Sequence, residues 1–497
     1  WNDDGLSSKL TERAGVRWSI DSVTGNARRN VPRSSNREVQ TCAACHSRRV
    51  QVADRAASGH TLLDRYLPSL ILPGLYYADG QQRDEVYDYG SFLQSRMYHA
   101  GVTCSDCHNP HTGSVRSSGN ALCAQCHRPE KYDTIAHTFH ARGSPGSSCI
   151  SCHMPSRIYM QVDARQDHSI RIPRPDQSQR YGTPNACNLC HTNRDAAWAS
   201  GQVLRWYGHQ ASGYQRFADA FAADERQDTS AGRALTSLAT DRTQPSIVRA
   251  SALARLALRP ASIPPATLQR LAMDSSALVR YGALLTLESF PPASRVAAAA
   301  PLLADSVRAV RIQAAWVLAP VAGELTGDAA AHFTTAASDF IESQRYNGDR
   351  AENRLTLGTF LAELGRFDEA TAAFSGAIAL SPDLAEAYAN LADVERGQGQ
   401  EKKSESTLRL GITKSPADPR LHYALGLALA RQQRLADAVA SLATADSLAP
   451  NDASIGYGYA LALHSAGEDR KARSVAMRVL ASAPGDSRVR ELLRELK

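Results

Sequence analysis

The sequence is poor in sulfur and in aromatic rings: it has five methionines, and Phe, Trp and Tyr together make up 6% of it. It lacks any apolar run near the roughly 18 residues a membrane helix needs, and its longest candidate, LPSLILPGLYY, is broken by proline and glycine. No membrane span is expected within the chain. Neither charge sign dominates, since 56 basic against 50 acidic residues leave a formal +6, and no basic block marks a nucleic-acid footprint. Cysteine is missing everywhere beyond position 190 of the 497, which excludes disulfide staples from the larger, C-terminal part.

The cysteines that are present follow one rule. They form the pairs Cys42 and Cys45, Cys104 and Cys107, Cys123 and Cys126, Cys149 and Cys152, Cys187 and Cys190, each spaced CxxC. A histidine follows every pair: His46, His108, His127, His153 and His191. CxxCH is the attachment signature of c-type haem. Two cysteines one helical turn apart reach the vinyl edge of a porphyrin as thioethers, and the adjacent histidine binds iron axially. Structural zinc sites and disulfides also use paired cysteines, but neither needs a histidine after each pair. Five haem c groups, each with its iron, are expected. Because haem is attached outside the cytoplasm, a periplasmic or extracellular location follows, and a chain starting at Trp1 without signal peptide is expected to be processed or partial.

An iron held by its motif histidine takes a second axial ligand or stays open for chemistry. Six further histidines in the same segment are distal candidates: His60, His99, His111, His137, His140 and His168, with His209 just beyond. His111 sits three residues after a motif histidine, a spacing suited to reaching a neighbouring iron. His137 and His140, one helical step apart, are placed to serve two haems. His60 and His168 lie in looser sequence, where an ordinary surface histidine is the alternative. The segment's methionines are Met97, Met154 and Met160, and Met154 cannot fold back onto the iron of its own motif. Histidine ligation should dominate, which implies low potentials.

The organisation reads as mainly α: a loop-rich multihaem domain over 1–200, HEAT-like helical repeats over 201–322, a linker helix over 323–350, and four tetratricopeptide repeats with a capping helix over 351–497. The cysteine-rich part carries so many Gly, Pro and Ser that its cofactors are expected to supply most of its core. Arg249, Arg280 and Arg311 recur every 31 residues, as do Asp274 and Asp305. Pro382, Pro416, Pro450 and Pro484 recur every 34, the tetratricopeptide period, and Gly365, Gly399 and Gly467 keep that step with Gln433 in the third slot. Small residues should mark the helix crossings, at Gly358, Ala392, Gly426 and Ala460 and at Ala370, Ser404, Ala438 and Ala472. His332, His422 and His464 fall in repeats, where a local partner is expected rather than ligation.

The run DEVYDYGSFLQSRMYHAGVTCSDCHNPHTG, with GNALCAQCH, GSPGSSCISCHMP, DHSIRIPRPD and GTPNACNLCH after it, resembles bacterial multihaem cytochromes with C-terminal tetratricopeptide repeats. These look like members of the superfamily of hydroxylamine oxidoreductase and the pentahaem nitrite reductases. The resemblance covers about residues 1–210 and implies extracytoplasmic electron transfer, with a further haem-bearing segment upstream in many members. The lysine that marks the catalytic haem of the nitrite reductases has no counterpart, since no CxxCK occurs. Tyr159 and Tyr181 are near the motifs, yet nothing singles out either as a cross-linking tyrosine.

The expected function is electron transfer through close haems, with the repeats as a scaffold for redox partner proteins. Two rivals stand beside it: a subunit of an extracellular cytochrome filament, made by self-association, and a reductase or oxidase of a small nitrogen or sulfur compound, which needs an open iron. The repeats could also be spacers without a partner.

Overall fold

The computed structural model describes residues 10–54 and 61–496. His60 therefore lies outside the described residues. The chain forms two compact units, Trp1–Phe340 and Ile341–Lys497. The expected boundary at 200 lies inside the first unit, and the division falls within the helix Gly327–Tyr346.

The cysteine-rich part of the first unit consists of short helices joined by loops and three two-stranded antiparallel hairpins, Trp18–Ile20 with Ala27–Arg29, Arg49–Gln51 with Tyr66–Pro68, and Ser156–Tyr159 with Asp163–Gln166. It was expected to lack a protein core, and that holds for only part of it. Leu62, Leu63, Tyr66, Leu70, Ile71, Tyr76, Val86, Phe92 and Leu93, between the first and second motifs, are all buried. They are anchored to the following repeats: Ile71 N donates to Ser251 Oγ at 2.9 Å, Arg255 Nη2 donates back to Ile71 O at 3.2 Å, and Arg308 N donates to Asp64 Oδ1 at 2.8 Å. The apolar LILPGLYY stretch docks because helix Ser246–Leu256 offers it a buried face. From 94 to 198, where four motifs lie, Tyr159 and Pro175 are the buried apolar side chains among the described residues, and Ile135, Ile158 and Leu189 are exposed.

Helices Ser246–Leu256, Ala277–Leu287 and Arg308–Leu318 carry the 31-residue repeat. Its arginines form a ladder: Arg249 and Arg280 reach the aspartates just before the next helices, and Arg311 reaches Asp339 within the helix Gly327–Tyr346. Arg249 Nη2 lies 2.7 Å from Asp274 Oδ2, Arg280 Nε 2.7 Å from Asp305 Oδ2, and Arg311 Nη2 2.8 Å from Asp339 Oδ2. Arg280 and Arg311 also donate to the backbone carbonyls of Asp274 and Asp305, at 2.9 and 2.7 Å. The period seen in the sequence is thus a chain of charge-assisted hydrogen bonds.

The second unit is a tetratricopeptide solenoid. Four helix pairs run from Ala351–Glu363 with Phe367–Leu380 to Ala453–Ser465 with Asp469–Ser482, and Ser487–Glu495 closes the array. The eight small residues expected at the crossings are buried. A Cβ on Gly358 would stand 2.6 Å from Phe374, and one on Gly426 2.5 Å from Leu442. Each proline of the 34-residue period follows a helix C-cap, at Ser381, Ser415, Ala449 or Ala483. In the turn slot Gln433 adopts φ +61°, as the glycines do elsewhere. His422 and His464 have local partners, Pro416 O at 2.9 Å and Asp469 Oδ1 at 2.7 Å.

Candidate functional site

Each CxxCH forms a single helical turn. The backbone N–H of the motif histidine donates to the carbonyl of the first cysteine at 2.9 Å in four of them, His46 to Cys42, His108 to Cys104, His127 to Cys123 and His191 to Cys187. The fourth motif is itself the helix Cys149–His153. That turn places both thiols and the imidazole of a motif on one side.

Consecutive motifs lie side by side. The Cys104 thiol is hydrogen-bonded to Cys42, which lowers the Cys42 pKa and, with burial, raises that of Cys104. Cys149 and Cys123 repeat the relationship. Burial, then the charges of Asp106 and Cys126, push Cys107 up to about 11, and burial followed by the charges of Cys149 and Cys190 raises Cys152. Electrostatic contacts between cysteines thus link each motif to the next. Glu38, buried on the first motif's helix, accepts from Ser105 N of the second at 2.6 Å.

Three motif histidines face a second histidine. Ring centres are 6.3 Å apart for His108 and His168, 6.2 Å for His137 and His153, and 6.1 Å for His140 and His191. With a metal–nitrogen bond of about 2 Å on each side and about 1 Å from Nε2 to the ring centre, two imidazoles on opposite sides of one metal have centres about 6 Å apart. The residues present fit an axially ligated iron at all three positions.

The outer nitrogens agree with this. Nδ1 of His153 lies 2.8 Å from Arg171 O, Nδ1 of His140 2.6 Å from Thr138 O, Nδ1 of His127 2.7 Å from Asn26 Oδ1, and Nδ1 of His168 2.8 Å from Asp88 Oδ1. Donation through Nδ1 fixes the tautomer and leaves Nε2 as the basic nitrogen, the arrangement of metal-bound histidines. Burial lowers the pKa of His127, His137 and His153, which favours the neutral form that ligation requires. Burial also acts to lower His168, but the Asp88 carboxylate, together with Gln166 O and the Asp167 charge, outweighs it and raises that pKa.

One loop serves two of these positions. His168 and Arg171 stand three residues apart, and Arg171 N donates to His153 O at 3.1 Å. The Arg171 guanidinium is buried and donates to Asp79 O at 2.9 Å, which pins the loop to the core. His137 and His140 straddle Phe139, which at φ +54° ends the helix Ile135–Thr138 and sends them to different motifs. Phe139 lies flat against Trp206, with ring centres 4.6 Å apart, and Trp198 is 4.8 Å from His191.

The other candidates among the described residues, His99, His111 and His209, are not brought beside a motif histidine. His99 directs Nε2 at Leu93 O, 3.2 Å away, and lies between Tyr98 and Tyr214. His111 is exposed, and His209 has Nδ1 2.9 Å from Gln210 O. His46 Nδ1 is 3.6 Å from Asp88 Oδ2, and the ring nearest His127 is Tyr132, at 5.7 Å. Met160 is exposed. The Tyr159 hydroxyl is committed to Gln82 Oε1 at 3.0 Å and pushed up to about 12 by burial, while Tyr181 is hydrogen-bonded to Asp219. Sequence reasoning passed over Asn26, Asp88 and Arg171, which act through folding and carry no motif of their own.

Residues 98–132 match the family model of the doubled CXXCH motif, and residues 361–428 and 429–496 match that of the tetratricopeptide repeat. The chain thus contains a c-type haem-binding motif and a repeat array of the kind that mediates protein interaction. No curated protein matches it. Among solved structures, MamA from residue 41 to its end, from Desulfovibrio magneticus RS-1, is 21% identical, with 31% of this chain and 87% of that one covered at a TM-score of 0.27. TTC0263, a thermophilic tetratricopeptide protein of Thermus thermophilus, is 22% identical over 37% and 98%, at 0.29. YrrB, described as a tetratricopeptide protein with an unusual peptide-binding site, is 17% identical over 37% and 91%, at 0.27.

Proposed function

We propose that this protein is an extracytoplasmic electron-transfer protein of the multihaem cytochrome type, with five haem c groups and a repeat scaffold that docks a redox partner protein. The observation that carries the reading is the set of three histidine pairs, each with one member from a CxxCH turn, at the separation of two axial ligands. Bound haem would supply one-electron chemistry at each motif. The chain's own residues do the rest. The ten cysteines would anchor the haems, His46, His108, His127, His153 and His191 would hold their irons, and His168, His137 and His140 would supply second ligands to those of the second, fourth and fifth motifs. Asn26, Thr138, Arg171 and Asp88 orient the imidazoles through Nδ1 and raise their basicity, which favours the ferric state and low potentials. Side-by-side thiols support a continuous electron path in motif order.

The test is the intact mass of protein matured in a periplasm with haem attachment machinery, together with the haem-to-protein ratio. Five covalent haems per chain are expected, and two or fewer would reduce the reading to the doubled motif alone. A filament subunit is the second reading. The exposed imidazole of His111, three residues beyond a motif histidine, favours it, because a ligand offered outward could serve the iron of another copy.

A further inference from the structure

Asp88 stands between two motifs that are 62 residues apart in sequence, the first at Cys42 and the second at Cys104. Its backbone segment belongs to the first. Tyr89 N donates to His46 O at 3.0 Å, and Arg48 N donates to Val86 O at 3.1 Å, so residues 86–89 are laced to the motif histidine's own strand of chain. Its side chain divides between the two. Oδ1 lies 2.8 Å from Nδ1 of His168, which also faces Gln166 O at 3.0 Å, and Oδ2 lies 3.6 Å from Nδ1 of His46. His168 in turn faces His108 of the second motif. The carboxylate is half-buried, and the residue before it, Tyr87, holds φ +59°, a conformation that costs a non-glycine residue energy and persists where the surroundings impose it. Arg165 stacks over Tyr87 at 4.5 Å and pairs with Glu85 at 2.9 Å, bracing the same turn.

We infer that Asp88 is a shared positioning residue for two irons, the proximal side of the first haem and the distal side of the second. This rests on the pairing of His108 with His168 proposed above. A carboxylate on the outer nitrogen of a ligating imidazole makes that ligand more basic and stabilises the higher oxidation state. For His168 the coupling is a carboxylate in direct contact with Nδ1, which it shares with Gln166 O, and for His46 it is charge at slightly longer range. One side chain thereby lowers two neighbouring potentials together, which keeps the step between the first and second haems close to level. No other carboxylate among the described residues lies within ion-pair distance of two histidines.

The experiment is a spectroelectrochemical titration of the haem-loaded full chain as wild type, Asp88→Asn, Asp88→Glu and Asp84→Asn. Asp84 is four residues away, exposed, and paired with Arg48 rather than with a motif histidine. Asp88→Asn should move two of five midpoints upward, the one assigned to His168 more than the other, with haem count and low-spin character unchanged. Asp88→Glu should place the same two between wild type and Asn, and Asp84→Asn should leave all five. Movement of one midpoint, of none, or of more than two overturns the inference. If the Asn variant fails to load haem, the Glu variant decides alone: displacement of the same two midpoints supports the shared role, and an unchanged titration overturns it. The underlying pairing is read separately. If His168→Ala leaves the spin state of every haem unaltered, that pairing fails, whatever Asp88 does.

Discussion

His137 and His153 face each other with ring centres 6.2 Å apart and planes 10° from parallel, although 16 positions separate them in sequence. His153 is fixed by its motif turn and by Arg171 O, while His137 approaches from the end of a four-residue helix. Removing the approaching partner should open one iron and no other. His137→Ala is expected to convert one of five haems from low to high spin, His140→Ala a second and His168→Ala a third, additively. His99→Ala should leave these three low-spin. Electron paramagnetic resonance of each oxidised variant checks the series.

Asn26 tests the outer nitrogen without touching a ligand position. Its Oδ1 accepts from His127 Nδ1, and its Nδ2 donates to the Tyr132 hydroxyl at 3.1 Å. Asn26→Leu fills similar space and removes the acceptor, so the third haem's ligand becomes less basic. One midpoint should rise in a redox titration, with the other four unmoved.

The repeat positions were legible from the sequence because each carries a period: prolines, turn glycines and small crossing residues at 34, arginines and aspartates at 31. The CxxCH turns were legible because their spacing is fixed. The pairing of histidines was only partly so. His168 sits in unpatterned sequence, and only the loop pinned by Arg171 and Asp79 carries it to His108. His111 has the more suggestive spacing and points to solvent. The core between the first two motifs escaped for a related reason: an apolar stretch shows that it will be buried, but not that a helix some 180 residues later will bury it.

The arginine ladder predicts a stability effect. Arg249 and Asp274 are both buried, so Arg249→Met leaves a buried carboxylate unpaired, at a cost of about 3 to 5 kcal/mol. Burial works to raise the Asp274 pKa, but the hydrogen bonds from Arg249 and Ser276 N and the nearby positive charge of Arg249 together outweigh it and hold the carboxyl below its usual value. The stabilisation is therefore complete above the unfolded pKa of about 4 and is lost as pH falls through the lower native value. Urea unfolding at neutral and acid pH should show the variant's deficit shrinking as pH falls.

Gln433 predicts the opposite sign. A side chain at φ +61° costs about 1 to 2 kcal/mol in the left-handed region, part of which glycine returns as chain entropy. Gln433→Gly should stabilise the solenoid by about 1 kcal/mol, seen as a higher urea midpoint with an unchanged slope.

The central claim is that histidines from this chain close most of its irons, making it a conductor rather than a catalyst. Low-temperature electron paramagnetic resonance of the fully oxidised, haem-loaded wild type addresses it directly. Low-spin ferric signals from at least three haems per chain, with rhombic splitting expected of paired imidazoles, are predicted. High-spin signals from three or more haems would contradict the account and put the reductase or oxidase reading first.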